Sequence, residues 1–313
     1  MGEALGDGDR TVDPPRLIVP ALNEASVPRP RLSAFQWALL APGAVLLLVL
    51  LAAPIALMAL ESFRPFVAGT VGSSAGWTLR NYTELIEPAY AFYFYDTFRI
   101  GFIVSAIALL LATPLAWQAA RTKRRAVRVA IFGLLIGLLF MSLVARLYAI
   151  QMTWGSTGPL AFFGTLIGVP ARSTGYAAIQ VAIGLLHFVV PMAAMILIGT
   201  FQNISPKLEE AAASLGAPRW KVALTVTLPL AVPGLLSAFM ISFAMCISNF
   251  VVPLILGRGV VLFTTNLMYV RFSDVANFPS GAAIGIIMFV LAGFVVYALT
   301  GLVRWLAPAE ART

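Results

Sequence analysis

Six long apolar runs, separated by shorter polar segments, constrain this chain more than any other feature of its sequence. A helix that crosses the hydrocarbon core of a bilayer needs about 20 consecutive apolar residues, and each run has that length. A shorter run at residues 159–169 is interrupted by two glycines, and we expect it to form an interfacial or re-entrant segment. The six predicted transmembrane helices are residues 37–60, 100–120, 129–148, 176–198, 230–256 and 282–305.

The amino-acid composition supports lipid as the surrounding solvent. Of the 313 residues, 60% are hydrophobic and 11% are charged, whereas soluble proteins carry about 25% charged residues. The net charge of +8 does not indicate nucleic-acid binding, because most basic residues lie in the gaps between apolar runs and are not interleaved with aromatic residues. The single cysteine, Cys246, allows neither an internal disulfide nor a cysteine-based metal cluster, and we expect it to be a small buried side chain.

The basic residues also predict the orientation of the chain. Lysine and arginine accumulate in cytoplasmic loops, and here they are concentrated in alternate gaps, which places both termini in the cytoplasm. The N-terminal residues are acidic and rich in proline and lack an apolar core, so we expect a disordered tail and not a cleaved signal peptide. The predicted domains are a tail at 1–34, a transmembrane domain at 35–306 with a cytoplasmic loop at 203–229, and a C-terminal tail at 307–313.

The loop at 203–229 differs from the other loops. Ser205 is placed as an N-cap, Pro206 suits the first helical position, and Glu209 is interpreted as the acid of a capping box. Gly216 is placed to end this helix, and a second short helix is predicted from about Pro218. The resulting helix–glycine–helix element is too polar to enter the membrane and too apolar to stay fully solvated. We therefore predict that it fits a groove on another protein.

The spacing of residues in this loop resembles a known family signature. Glu210-Ala211-Ala212, then Gly216, then Val226-Thr227-Leu228-Pro229 match the pattern of permease subunits of binding-protein-dependent ABC importers, with valine for isoleucine at 226 as the one departure. Further segments resemble the spermidine/putrescine-type branch of that family, which also includes permeases for other solutes. These segments are residues 76–90, 144–160, 249–257 and 277–283.

The resemblance implies an all-α membrane protein with six transmembrane helices, the type I ABC importer permease fold and both termini in the cytoplasm. It implies that the chain is not an enzyme and holds no cofactor, because ATP and Mg are bound by a partner ATPase; the sequence contains no GxxxxGK[ST] motif. The implied partners are a second homologous permease, two cytoplasmic ATPase subunits and a periplasmic solute-binding protein. The implied location is a bacterial inner membrane, with lipid around the chain and no nucleic acid. Whether the two permeases are identical stays open.

The resemblance also implies roles for residues of the loop. Glu210 is expected to contact the ATPase or to cap within the loop, Ala211 and Ala212 permit close approach, and Gly216 sets the angle between the two short helices. The predicted ATPase-coupling residues are Glu209, Glu210, Ala211, Ala212, Gly216, Leu228 and Pro229.

Polar residues at membrane depth are the other functional candidates, because burying them is costly. His187 has no second metal ligand nearby in the sequence and is expected to be neutral and hydrogen-bonded inside the bundle. Arg146 is expected at an outer helix end, where its side chain snorkels, with a structural or gating role as the alternative. For Ser248 and Asn249 the alternative to lining a pathway is hydrogen bonding between helices. The predicted pore-lining residues are Ser248, Asn249, Arg146 and Tyr148.

These observations together predict a permease subunit that moves a small solute, with a polyamine as the favoured substrate. Ferric iron, thiamine, aminoethylphosphonate and opines are the alternatives within the same machinery. Glu61 and Asp96 near outer helix ends, and Asp274 in the last periplasmic loop, are not favoured as substrate ligands, since selectivity in such importers often rests on the binding protein. A stand-alone secondary transporter is less favoured, because the sequence shows neither inverted repeats nor an intramembrane charge relay.

Overall fold

The computed structural model describes residues 34–68 and 76–306. The predicted C-terminal tail, and all but the last residue of the predicted N-terminal tail, lie outside the described residues. The chain divides into two compact units, Met1–Ala53 and Pro54–Thr313. The described part of the first unit is the N-terminal portion of one long apolar helix, and the other described helices belong to the second unit.

The described residues form α-helices joined by turns, with two π-helical segments at Ala223–Thr227 and Val270–Asp274. The α-helices are α1 (Ala34–Ser62), α2 (Arg80–Ile86), α3 (Pro88–Arg121), α4 (Arg125–Phe140), α5 (Leu143–Trp154), α6 (Phe162–Leu166), α7 (Thr174–Asn203), α8 (Pro206–Ser214), α9 (Arg219–Val222), α10 (Leu228–Ile247), α11 (Val251–Leu256), α12 (Thr264–Tyr269) and α13 (Phe278–Leu306).

The length and hydropathy of the helices confirm five of the predicted spans within the described residues. These five are long enough and apolar enough to cross a membrane, and α4 with α5 forms a sixth span if the bent pair counts as one. The prediction of one continuous helix at 129–148 is wrong, because α4 and α5 meet at an angle of 97°. The predicted helix at 230–256 is also too long, since α10 ends at Ile247.

The centre of the second unit is the packing of α3, α7 and α10. Small side chains lie at the contacts, including Ala108, Ala112 and Ala116 of α3 and Ala193 and Ala194 of α7, all fully buried. Small residues let helix backbones approach closely inside a membrane, where packing takes over from the hydrophobic effect. The three helices therefore form a tightly packed body to which the shorter elements attach.

At the break after α10, side chains form hydrogen bonds with backbone groups that have no partner within a helix. The side-chain oxygen of Asn249 accepts from the N–H of Val252 at 2.9 Å. The Thr265 hydroxyl donates to the Asn249 carbonyl at 2.9 Å, and the Asn266 amide donates to the Phe250 carbonyl at 3.0 Å. Non-helical backbone is tolerated at membrane depth only where such partners or a water-filled space satisfy it. The break at 248–250 is therefore a stable feature of the fold.

Candidate functional site

The loop at 203–229 forms the predicted pair of short helices. Helix α8 ends at Ser214, Gly216 has a φ of +85°, and α9 begins at Arg219. A positive φ of this size is the left-handed conformation that glycine adopts without a steric cost. Gly216 thus forms the left-handed turn between α8 and α9, and its role in setting the angle between them stays a prediction.

The start of α8 differs in one respect from the prediction. Ser205 and Pro206 occupy the predicted N-cap and first helical positions, but the Ser205 side chain makes no capping hydrogen bond. In a capping box the acid is the third helical residue. That position is Leu208, and Glu209 is one residue further on. The predicted capping box is therefore wrong, and the Glu209 carboxylate is free to bind elsewhere.

Glu209 is instead the centre of a charged cluster. Its Oε1 atom accepts a hydrogen bond from Nε of Arg121 at 2.9 Å and lies 2.8 Å from Nη2 of the same guanidinium. The hydroxyl of Thr227 donates to the same oxygen at 2.9 Å. Nη2 of Arg121 also donates to the backbone carbonyl of Ile204, at 2.9 Å. We call these residues, Arg121, Ile204, Glu209 and Thr227, the anchor cluster.

The anchor cluster is largely shielded from water, and its two charges lie where the helix dipoles favour them. The side chains of Arg121 and Glu209 are 14% and 17% exposed, and Thr227 is buried. Glu209 lies in the first turn of α8 and Arg121 in the last turn of α3, where the helix dipoles favour charges of those signs. The Ile204 carbonyl ends α7 and lacks a helical partner of its own. Arg121 and Thr227 were not found from the sequence, because Arg121 belongs to a run of basic residues and lies 88 residues before Glu209.

The other predicted coupling residues lie outside the anchor cluster. Glu210 and Ala211 are exposed and Ala212 is half-buried. The exposed surface continues through Leu215, which is 89% exposed, to Trp220. These exposed residues place an acid, Glu210, near large apolar side chains, Leu215 and Trp220, at the tip of the loop. Such a surface suits a groove on a protein better than contact with water.

The connection from α9 to the membrane runs through the first π-helical segment. The N–H of Leu228 donates to the carbonyl of Ala223, five residues earlier, which is the π-helical pattern. Pro229 follows directly in the first turn of α10 and has no N–H to continue a regular ladder. Leu228 and Pro229 thus mark the transition from the loop to α10, as the motif spacing suggests.

An apolar cavity of about 670 Å³ lies beside this connection. Thr227 of the anchor cluster is one of its lining residues, and no acidic or basic side chain lines it. The lining includes aromatic side chains but no carboxylate, so the cavity offers an ammonium group no ion-pair partner. Its lining residues are Ala106, Leu109, Leu110, Thr113, Pro114, Trp117, Phe201, Ala223, Leu224, Thr227, Leu228 and Phe239.

The predicted pore-lining residues separate into two groups. Ser248 is exposed and Asn249 half-buried at the break after α10, and Tyr148 is 55% exposed. The side-chain oxygen of Asn249 already accepts a hydrogen bond from the N–H of Val252. Arg146 is only 2% exposed, and its burial makes it the least accessible of the four. For all four residues, lining a pathway stays a prediction.

The structure contradicts the prediction that Arg146 snorkels. Nη2 of its guanidinium donates to the carbonyls of Leu138 and Met141, the latter at 2.9 Å. These carbonyls belong to the C-terminal end of α4, where no helical N–H is available to them. The side chain therefore turns inward because the 97° bend leaves carbonyls that need a donor, and Arg146 supplies it.

Three of the remaining ionisable candidates are buried or paired, whereas Asp274 is exposed. Nδ1 of His187 is buried and has no hydrogen-bond partner, so the predicted hydrogen bond is absent at that atom. Asp96 is buried and forms an ion pair with Arg99 at 2.8 Å, and Glu61 pairs with Arg64 at 3.3 Å. An arginine beside each carboxylate reduces its attraction for a passing cation. Neither acid is therefore available as a strong cation ligand.

The family of the chain follows from a match that covers almost all of it. Residues 17–305 match the family model described as the inner membrane component of binding-protein-dependent transport systems. The chain belongs to this family. It is a multi-pass membrane protein and a permease subunit of an ABC importer.

The names of individual relatives refer to different solutes. The spermidine/putrescine transport system permease protein PotB of Escherichia coli is 27% identical over 234 residues, which cover 74% of this chain and 82% of PotB. PotB of Haemophilus influenzae is 27% identical over 223 residues, 70% of this chain and 77% of that protein. The molybdenum transport permease ModB of Azotobacter vinelandii is 27% identical over 164 residues, 52% of this chain and 71% of ModB.

A solved structure confirms the fold. A chain of a bacterial ABC transporter that imports the acidic polysaccharide alginate superimposes with a TM-score of 0.69. The alignment covers 88% of this chain and 96% of the other, at 16% sequence identity. The similarity at this identity establishes the type I importer permease fold and carries no information on the solute.

Proposed function

We propose that this chain is a polyamine permease subunit that works with a second permease, two ATPase subunits and a periplasmic binding protein in a bacterial inner membrane. The proposed contact with the ATPase subunits rests on the exposed α8–Gly216–α9 element. No other segment in the described part of the chain covers its apolar tip. ATP and Mg would be bound by the ATPase subunits. The permease would contribute the pathway and the surface that receives their motion.

The proposed orientation places α8 and both termini in the cytoplasm. The contact between Arg121 and Glu209 brings the end of α3 and the loop after α7 to the same end of the molecule. Together these two loops carry eight lysine and arginine residues, and such residues accumulate on the cytoplasmic side. The ATPase subunits would therefore meet the exposed tip of the loop from that side.

Polyamine as the solute is supported by the PotB relatives and by the sequence segments outside the loop. PotB proteins of several bacteria are 26–27% identical to most of the chain. The pairing of Glu61 and Asp96 with arginines suits a pathway that binds its solute weakly, since tight binding of a polycation needs unpaired acids or aromatic faces. Selectivity would then rest on the soluble binding protein.

The solute is tested with the binding protein that purifies with the complex. Its thermal unfolding is measured with spermidine, putrescine, molybdate, ferric iron, thiamine, aminoethylphosphonate and an alginate oligosaccharide. A ligand present at 100 times its Kd stabilises the folded protein by about 2.7 kcal/mol, which raises the Tm by several degrees.

We expect this shift for spermidine or putrescine only. A shift with one of the other solutes and none with a polyamine would overturn the proposed substrate while leaving the coupling role intact. Accumulation of solute driven by an ion gradient, by this chain alone and without ATP, would overturn the proposed mechanism itself.

A further inference from the structure

Helix α8 has no buried apolar stripe that would hold it against the membrane helices. None of its nine residues is buried, although it is the element proposed to receive the motion of the ATPase. A surface helix is normally held by an apolar stripe that packs against the core. Without that stripe, α8 needs another attachment if a movement of its tip is to move the transmembrane helices.

The anchor cluster provides that attachment. A single carboxylate oxygen of Glu209 joins α8 to Arg121 at the end of α3 and to Thr227 at the start of α10. The same guanidinium of Arg121 holds the terminal carbonyl of α7 through Ile204. The loop is thus bonded to the ends of all three helices that form the packed centre of the second unit.

We propose that Arg121, Glu209 and Thr227 are positioning residues that transmit movement of the coupling helix to α3, α7 and α10. Glu209 is then an internal attachment point and not a contact with the ATPase, while its neighbour Glu210 faces the partner. The proposal rests on the proposed coupling role of α8 and is independent of which solute is carried.

The chemistry of the cluster favours this role over a general stabilising one. Hydrogen bonds to a charged partner are about twice as strong as neutral ones, and they depend on direction. Two side chains, Arg121 of α3 and Thr227 before α10, donate to one oxygen, so a displacement of α8 away from either helix stretches one of these bonds. The half-buried position reduces competition from water, which would weaken a fully exposed ion pair.

The test uses the complete complex and neighbouring residues as matched controls. Glu209→Gln, Arg121→Gln and Thr227→Val remove members of the cluster with little change of shape. Arg125→Gln removes an exposed positive charge near the same end, and Thr225→Val removes a hydroxyl whose hydrogen bond goes to the Lys221 carbonyl of its own helix. The measurements are solute imported per ATP hydrolysed and the amount of ATPase that co-purifies.

We expect each cluster variant to keep its bound ATPase and its ATP hydrolysis but to import about tenfold less solute per ATP, the loss that one charge-assisted hydrogen bond corresponds to. Arg125→Gln and Thr225→Val should stay within about twofold of the wild type. The double variant Arg121→Gln/Glu209→Gln should be no worse than either single variant, because the two residues act through one contact.

Two results would overturn the proposal. One is normal import per ATP in the three cluster variants; since Thr227→Val removes one hydroxyl and adds a methyl of similar size, it should remain folded even if a charge variant does not. The other is loss of the ATPase from the Glu209→Gln complex, which would make Glu209 a contact residue. Failure of the coupling role itself would look different, since Glu210→Lys would then leave ATPase binding unchanged.

Discussion

Single polar side chains at membrane depth have different functions according to their surroundings. Arg146 is buried and binds the carbonyls that the bend between α4 and α5 leaves without partners. Ser248 lies at a break in the fifth span and is exposed in the single chain. Residue type and position in the sequence make both of them functional candidates, but only tertiary contacts distinguish a structural arginine from a serine that can face a pathway.

The accessibility of position 248 to water can be tested by cysteine labelling, with the native Cys246 as the unreactive background. Cys246 is the only cysteine of the chain and is fully buried, so the wild-type protein provides the background. We predict that the break opens to an aqueous pathway. Ser248→Cys should then react with a positively charged, membrane-impermeant methanethiosulfonate reagent in membranes that contain the complex. Intact-mass spectrometry measures the modification.

Wild-type protein treated in the same way should remain unmodified. If residue 248 does not react, or reacts only with a lipid-soluble maleimide, it faces lipid or a protein partner and the pore-lining prediction for it is wrong.

At the scale of elements, the loop was predictable and the bends were not. Pro206 and Gly216 act locally, so a helix start and a left-handed turn can be inferred from the sequence alone. The bend between α4 and α5 contains no proline, and its apolar run is continuous, so hydropathy could not reveal it. The anchor cluster was equally hidden, because it joins residues 88 positions apart that the fold alone brings together.

The turn at Gly216 should tolerate residues according to their cost at positive φ. No other group lies within 4 Å of a Cβ placed on Gly216, so conformation and not crowding decides the effect. Asparagine adopts this conformation readily, whereas a β-branched residue rarely does, and the left-handed form costs about 1–2 kcal/mol for an ordinary residue.

Gly216→Val and, less severely, Gly216→Asp should therefore reduce import by roughly tenfold while membrane insertion is unchanged, and Gly216→Asn should retain most activity. Import and the amount of the chain in membranes are measured together. Equal import by the valine and asparagine variants would show that the turn geometry does not matter for coupling.

At the scale of the molecule, the second unit has two distinct ends joined by α3. This helix has 34 residues and is about 51 Å long at 1.5 Å per residue. Helix α2 lies at its N-terminal end, and the anchor cluster with α8 lies at its C-terminal end. The membrane class, five of the spans and the two short helices of the loop followed from the sequence. How the loop is attached to the packed helices required the structure.

The arrangement of the two ends allows a direct test of the claim that the α8–α9 tip is the docking surface for an ATPase. A photoreactive amino acid is placed at Leu215, which is 89% exposed at the tip, or at Ile86 in α2, which is 76% exposed at the opposite end. After irradiation of the complex in membranes, the partner in each adduct is identified by mass spectrometry and tested for ATP binding. We predict that position 215 forms an adduct with a nucleotide-binding ATPase subunit and that position 86 does not. An ATPase adduct at position 86, or none at position 215, would contradict this account.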